Sequence, residues 1–151
     1  MAIAVVDTTI TEANASSAVS ASHTLAAGNA AALVANCNGN NTGAAVTIAI
    51  TGSHSFTGRV VCNTTSGAQL SGASVGHTIH NSGGTTGTTT ATATGMTFTG
   101  ISFTIWELSG CETSWHGTTS TNSGVVLLSK LFITVVFNGS VIFVGVMYFF
   151  S

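Results

Sequence analysis

The chain has 151 residues, enough for one domain with a real core, and an ordinary hydrophobic fraction of 44%. Only Arg59, Lys130, Asp7, Glu12, Glu107 and Glu112 are formally ionised, 4% of the residues against roughly 25% in a typical soluble domain. Ordinary hydrophobicity with a net charge of −2 excludes the composition of a disordered chain. Two basic residues, 71 positions apart, exclude a phosphate-gripping patch, so nucleic acid is not an expected partner.

Proline is absent, and Gly, Thr, Ser, Ala and Asn fill most of the first 124 positions. With so little net charge, self-repulsion is nearly missing, which favours close contact between copies. Met1 to Val6 is apolar but carries no preceding basic residue and is stopped by Asp7, so no secretory signal is expected. The acceptor triplets at Asn14, Asn40, Asn63 and Asn138 read as chance in an Asn/Thr/Ser-rich chain.

Along the chain, period-2 alternation marks strands with one buried face. Val19, Ala21, His23 and Leu25 alternate with small polar residues, as do Val46, Ile48 and Ile50, and then Ile101, Phe103 and Ile105. Residues 26–35 suit a short helix or, through Leu33 and Val34, a strand. Gly- and Asn-rich separators at 27–29, 38–41, 82–84 and 109–110 supply turn chemistry. Many short strands at this spacing predict an all-β antiparallel sandwich, jelly-roll or Ig-like, over residues 1–124.

Residues 85–99 place Thr88, Thr90, Thr92 and Thr94 on one face, and Thr89, Ala91 and Ala93 on the other. The expectation is a polar outer face over a thin inner one. A hydroxyl array that binds ice or polysaccharide needs further rows beside this one, and no fixed-period repeat supplies them.

The segment 125–151 differs in kind: 19 of the 26 residues from Val125 to Phe150 are apolar, and they include five of the eight Phe. Length permits a membrane span, but Lys130 lies within the run and Asn138-Gly139-Ser140 interrupts it. Asn138-Gly139 between β-branched stretches instead signals a hairpin, with Phe137 opposite Ser140, Val136 opposite Val141 and Val135 opposite Ile142. Its apolar side chains, including Phe132, Val136, Phe137, Val141, Phe143 and Tyr148, would need cover from the sheet or from a neighbouring copy.

Chemistry is sparse. Cys37, Cys62, Cys111, His23, His54, His77, His80 and His116 show no metal-ligand spacing, and no cofactor is expected. A Cys37–Cys62 bridge is conceivable across strands, although an odd cysteine count argues against a disulfide framework. No Gly-x-Ser-x-Gly elbow is present, and Glu107 with Glu112 are the only neighbouring carboxylates, so an enzyme is not expected. Glu107 continues the inward parity of Ile101, Phe103 and Ile105. A buried carboxylate needs a partner: either an ion pair with Arg59, the only guanidinium, or main-chain N–H groups at a turn.

The stretch Thr94 to Gly110, ending Ile105-Trp106-Glu107-Leu108-Ser109-Gly110, resembles a pattern in Gly/Thr-rich β-sandwich domains of phage virions and bacterial surface proteins. Ser22 to Asn29 (SHTLAAGN) is similar to the first inner strand and turn of the same domains. Leu108 stands where the pattern has an aromatic, and the apolar tail lies outside it. The resemblance implies a capsid-decoration, fibre or tail-associated role at a virion or extracellular surface. The expectation is a non-enzymatic structural subunit whose partners are copies of itself or other virion proteins. An adhesin or carbohydrate-binding module using Trp106 and Trp115 is the alternative, and a protein anchored in a membrane through residues 125–150 is the third reading.

Overall fold

Alternating β-branched and small polar residues, without proline, give long extended strands with one face to bury. In the computed structural model, which describes residues 3–41, 44–63, 71–80, 84–111, 120–123, 131–137 and 140–147, every regular element is a strand. They are β1 (Ala4–Asn14), β2 (Ala18–Leu25), β3 (Ala30–Asn41), β4 (Thr47–Gly52), β5 (Thr57–Asn63), β6 (Ser71–His80), β7 (Thr85–Thr94), β8 (Met96–Ser109), β9 (Ser120–Ser123), β10 (Leu131–Phe137) and β11 (Ser140–Met147).

Two sheets form the sandwich: a larger one in the order β1-β8-β3-β6-β5-β9 and a smaller one in the order β2-β7-β4. The chain changes sheet at each of its first three connections, and the pairs close from the outside in: β1 with β8, β2 with β7, β3 with β6. That nesting is the strand order of a jelly roll. β5 departs from it by pairing with β6 instead of extending the smaller sheet beside β4. Pairing is antiparallel except between β5 and β9, which run parallel.

The larger sheet supplies bulk and the smaller sheet supplies fit. Leu33, Phe103 and Ile105 of β3 and β8 share one core cluster with Ala91 and Ala93 of β7 and Val19 of β2, together with Leu25, Val46, Ile48 and Met96. Sheets packed face to face lie about 10 Å apart, so large side chains on one side require small ones opposite. The thin inner face expected for residues 89–93 is thereby explained. Ala31, Leu33 and Ala35 join the core cluster from alternate positions of β3, and this cross-sheet packing decides strand over helix for the ambiguous segment.

β1 went unrecognised in the sequence, because its first residues read only as an apolar run ended by Asp7. It is an edge strand, and it carries Asp7 and Glu12, two of the chain's four acidic residues. β10 and β11 form their own two-stranded sheet, with Phe137 opposite Ser140 and Val136 opposite Val141 as the hairpin signal requires. Beyond Val136 the register shifts, so Val135 faces Phe143 and not Ile142. An extra residue on one strand is a β-bulge, which period-2 counting cannot foresee.

Candidate functional surfaces

The outer face of the smaller sheet is a field of hydroxyls. Ser20, Ser22 and Thr24 of β2 stand opposite Thr90, Thr88 and Thr86 of β7, while Thr51 and Thr47 of β4 stand opposite Thr90 and Thr94. Across the strands, Ser20 and Thr90 bond at 2.7 Å, Thr24 and Thr86 at 3.0 Å, and Thr47 and Thr94 at 2.9 Å. Pleated geometry spaces such groups about 4.8 Å across strands and about 6.8 Å along them. The further rows that no sequence repeat supplies are brought beside β7 by tertiary pairing. None of the three strands carries Asp, Glu, Lys or Arg.

A second surface is the free edge of β1. Among the residues whose side chains are described, the large hydrophobic ones left exposed are Val5 (53%), Val6 (52%) and Ile10 (73%), all on this strand. β1 has no lysine and no proline, the usual guards of an open edge. What it has instead is a shift of register against β8 between Val5 and Asp7, and a local cap in which Thr8 N–H donates to Asp7 Oδ1 at 2.8 Å.

At the end of the sandwich, Glu107 is 4% exposed. Its Oε1 accepts Ala26 N–H at 2.8 Å and Asn29 Nδ2–H at 2.6 Å. The acceptor clamps a turn in which Asn29 N–H returns to Ala26 O at 3.2 Å, with Gly28 at φ +80°. A positive φ at the third turn position selects glycine, which fits a type II turn. Of the two arrangements expected for Glu107, main-chain donation at a turn is present. Arg59 lies on β5, with β3 and β6 between it and β8, and its side chain lies outside the described residues.

Close by, two buried histidines tie the layers together. His23 Nδ1 and Thr9 Oγ1 are 2.9 Å apart, linking β2 to β1 across the sheets. His54 Nε2 donates to the His23 carbonyl at 3.1 Å; in the neutral ring its Nδ1 then accepts the Thr85 hydroxyl, also at 3.1 Å. The rings meet edge to face at 6.0 Å, and Phe56 stacks in the same manner on His54. His23 Nε2 is buried without a hydrogen-bond partner. Burial holds the His23 ring below the usual histidine range; Glu107 and then Asp7 oppose that shift, and His54 reinforces it.

Cys37 is buried on the inner face of β3; the Cys62 side chain on β5 lies outside the described residues, and β6 separates the two strands. Burial raises the Cys111 thiol above its ordinary value. The hairpin residues Phe132, Val136, Phe137, Val141 and Phe143 are placed by main chain alone. Asn138, Gly139, Tyr148, Glu112, Trp115 and His116 lie outside the described residues. Among the described residues no three His, Cys, Asp or Glu side chains gather as a metal site, and no helix is long and apolar enough to cross a membrane. No family model matches this chain, and comparisons with curated proteins and with solved structures likewise gave no match.

Proposed function

We propose that the chain is a non-enzymatic structural subunit that associates with copies of itself, of the kind that decorates or builds a virion. The observation that carries this reading is the edge of β1: unpaired among the described strands, without lysine or proline, and bearing the exposed large hydrophobic side chains Val5, Val6 and Ile10. Low charge lowers the desolvation cost of bringing such edges together. The jelly-roll strand order adds support by analogy alone, since viral capsid and lectin domains share it and a fold hosts many functions. Sedimentation of the purified chain across a concentration series, with electron microscopy of the same samples, tests the reading. Defined multimers or particles are expected; a monomer at every concentration rejects it.

The hydroxyl face favours a second reading, a module that binds a regular carbohydrate surface. An uncharged, ordered row of hydroxyls and methyls suits the alternating polar and apolar edges of packed sugar chains. Co-sedimentation with insoluble cellulose and chitin tests it, and Thr90→Lys at the centre of the face is expected to abolish retention without unfolding the chain.

A further inference from the structure

We propose that two copies join by antiparallel pairing of their β1 edges about a twofold axis centred on Ile10, fusing the two larger sheets into one. This rests on the self-association reading above and names the surface and the partner, a second copy of this chain.

The direction of the free main-chain groups sets the register. Thr8 stands opposite Trp106, and its N–H donates to the side chain of the preceding residue, Asp7, which assigns Thr8 the direction away from β8. In an antiparallel ladder both main-chain groups of a residue point the same way, and that direction alternates along the strand. The register of β1 against β8 is regular from Asp7 to Asn14, so Ile10 and Glu12 share the outward direction of Thr8. A partner strand must therefore form its bonded pairs at these positions.

Five twofold registers satisfy that condition, centred on Thr8, Thr9, Ile10, Thr11 or Glu12, and the last sets Glu12 against its own copy, carboxylate on carboxylate. Centring on Thr11 sets Ile10 against the partner's Glu12, an apolar group on a carboxylate. Centring on Thr9 sets Val6 against the partner's Glu12 and Ile10 against the partner's Thr8. Centring on Thr8 runs the new ladder through Val6, where β1 loses its regular register. Centring on Ile10 keeps the bonded pairs within the regular span. It sets Ile10, the most exposed large hydrophobic side chain of β1, against its own copy. Glu12 faces the partner's Thr8 and Asp7 faces the partner's Ala13, so no carboxylate opposes another. A twofold contact uses the same patch on both copies and closes after two, so the product is a dimer and not a fibre.

The Asp7 cap is the built-in brake. Pairing in this register needs Thr8 N–H for the partner's Glu12 carbonyl, so the Asp7 carboxylate must release it first. Asp7→Ala is expected to strengthen association, whereas Ile10→Lys sets like charges face to face at the axis and is expected to weaken it roughly tenfold or more.

Sedimentation equilibrium on the full chain and these variants, with circular dichroism to confirm the fold, supplies the first readout. Cysteine cross-linking supplies the second. Directly bonded residues lie about 5.5 Å apart at Cα, within disulfide range, so Ile10→Cys is expected to give a covalent dimer on mild oxidation. Thr8→Cys, exposed on the same face but displaced from its copy by about 13 Å along the strands, is expected to remain uncross-linked, like the unaltered chain. If the chain multimerises but Ile10→Lys multimerises equally, or Thr8→Cys links in place of Ile10→Cys, the β1 register is overturned while self-association stands. A chain that is monomeric throughout overturns both.

Discussion

Glu107 and His23 show how a nearly uncharged chain uses its few titratable groups. Glu107 takes two donors on one oxygen, and both belong to the turn that joins β2 to β3. Glu107→Ala leaves the Ala26 N–H and the Asn29 amide short of an acceptor, a loss of roughly 1–3 kcal/mol. Glu12→Ala, on the exposed edge, is expected to stay within about 0.5 kcal/mol. Equal urea midpoint shifts for the two variants would remove the structural role assigned to Glu107. His23 gives a pH signature. Its folded form binds a proton less readily than the unfolded chain, whose histidine titrates near 6.5. Its contribution to stability is therefore complete above about pH 6.5 and declines as pH falls from there toward the lowered folded value. Urea unfolding at stepped pH is expected to show this slope, and His23→Gln is expected to flatten it. The inward parity of both residues was legible in the alternation of their strands. Their partners were not, because Ala26, Asn29, Thr9 and His54 are brought to them by turns and by the opposite sheet.

Connections between elements carry the sharpest backbone demands. Gly95, between β7 and β8, has φ +89°, and a Cβ built there would run into the Ala45 carbonyl. Gly28 also has a positive φ, +80°, but a Cβ there meets only open space. Gly28→Ala is thus expected to cost about 1–2 kcal/mol for the left-handed backbone alone. Gly95→Ala adds the steric clash and is expected to cost several kcal/mol, read as a clearly larger drop in thermal midpoint. The strands between such points were largely readable: the alternations at 19–25 and 101–105 lie in strands with the expected faces inward, and that at 46–50 runs into β4 with Val46 buried just before the strand begins. β1 was missed because consecutive threonines blur its alternation, and the shift of the C-terminal hairpin because a bulge breaks the period.

At the scale of the whole molecule, low charge and open edges make one combined prediction. Association driven by main-chain pairing and apolar contact has few ions to screen, so a tenfold rise in sodium chloride is expected to leave the sedimentation constant nearly unchanged. An interface held by the six ionised side chains would dissociate instead. The chain by itself determined the all-β class, the inward faces of its clearest strands and the scarcity of groups for catalysis, because alternation and composition are local properties. Only the tertiary structure decided which strand became a bare edge, which threonines joined into a field and which donors reached Glu107. Those outcomes depend on pairing between residues as far apart as Ser20 and Thr90, and no short-range pattern records them.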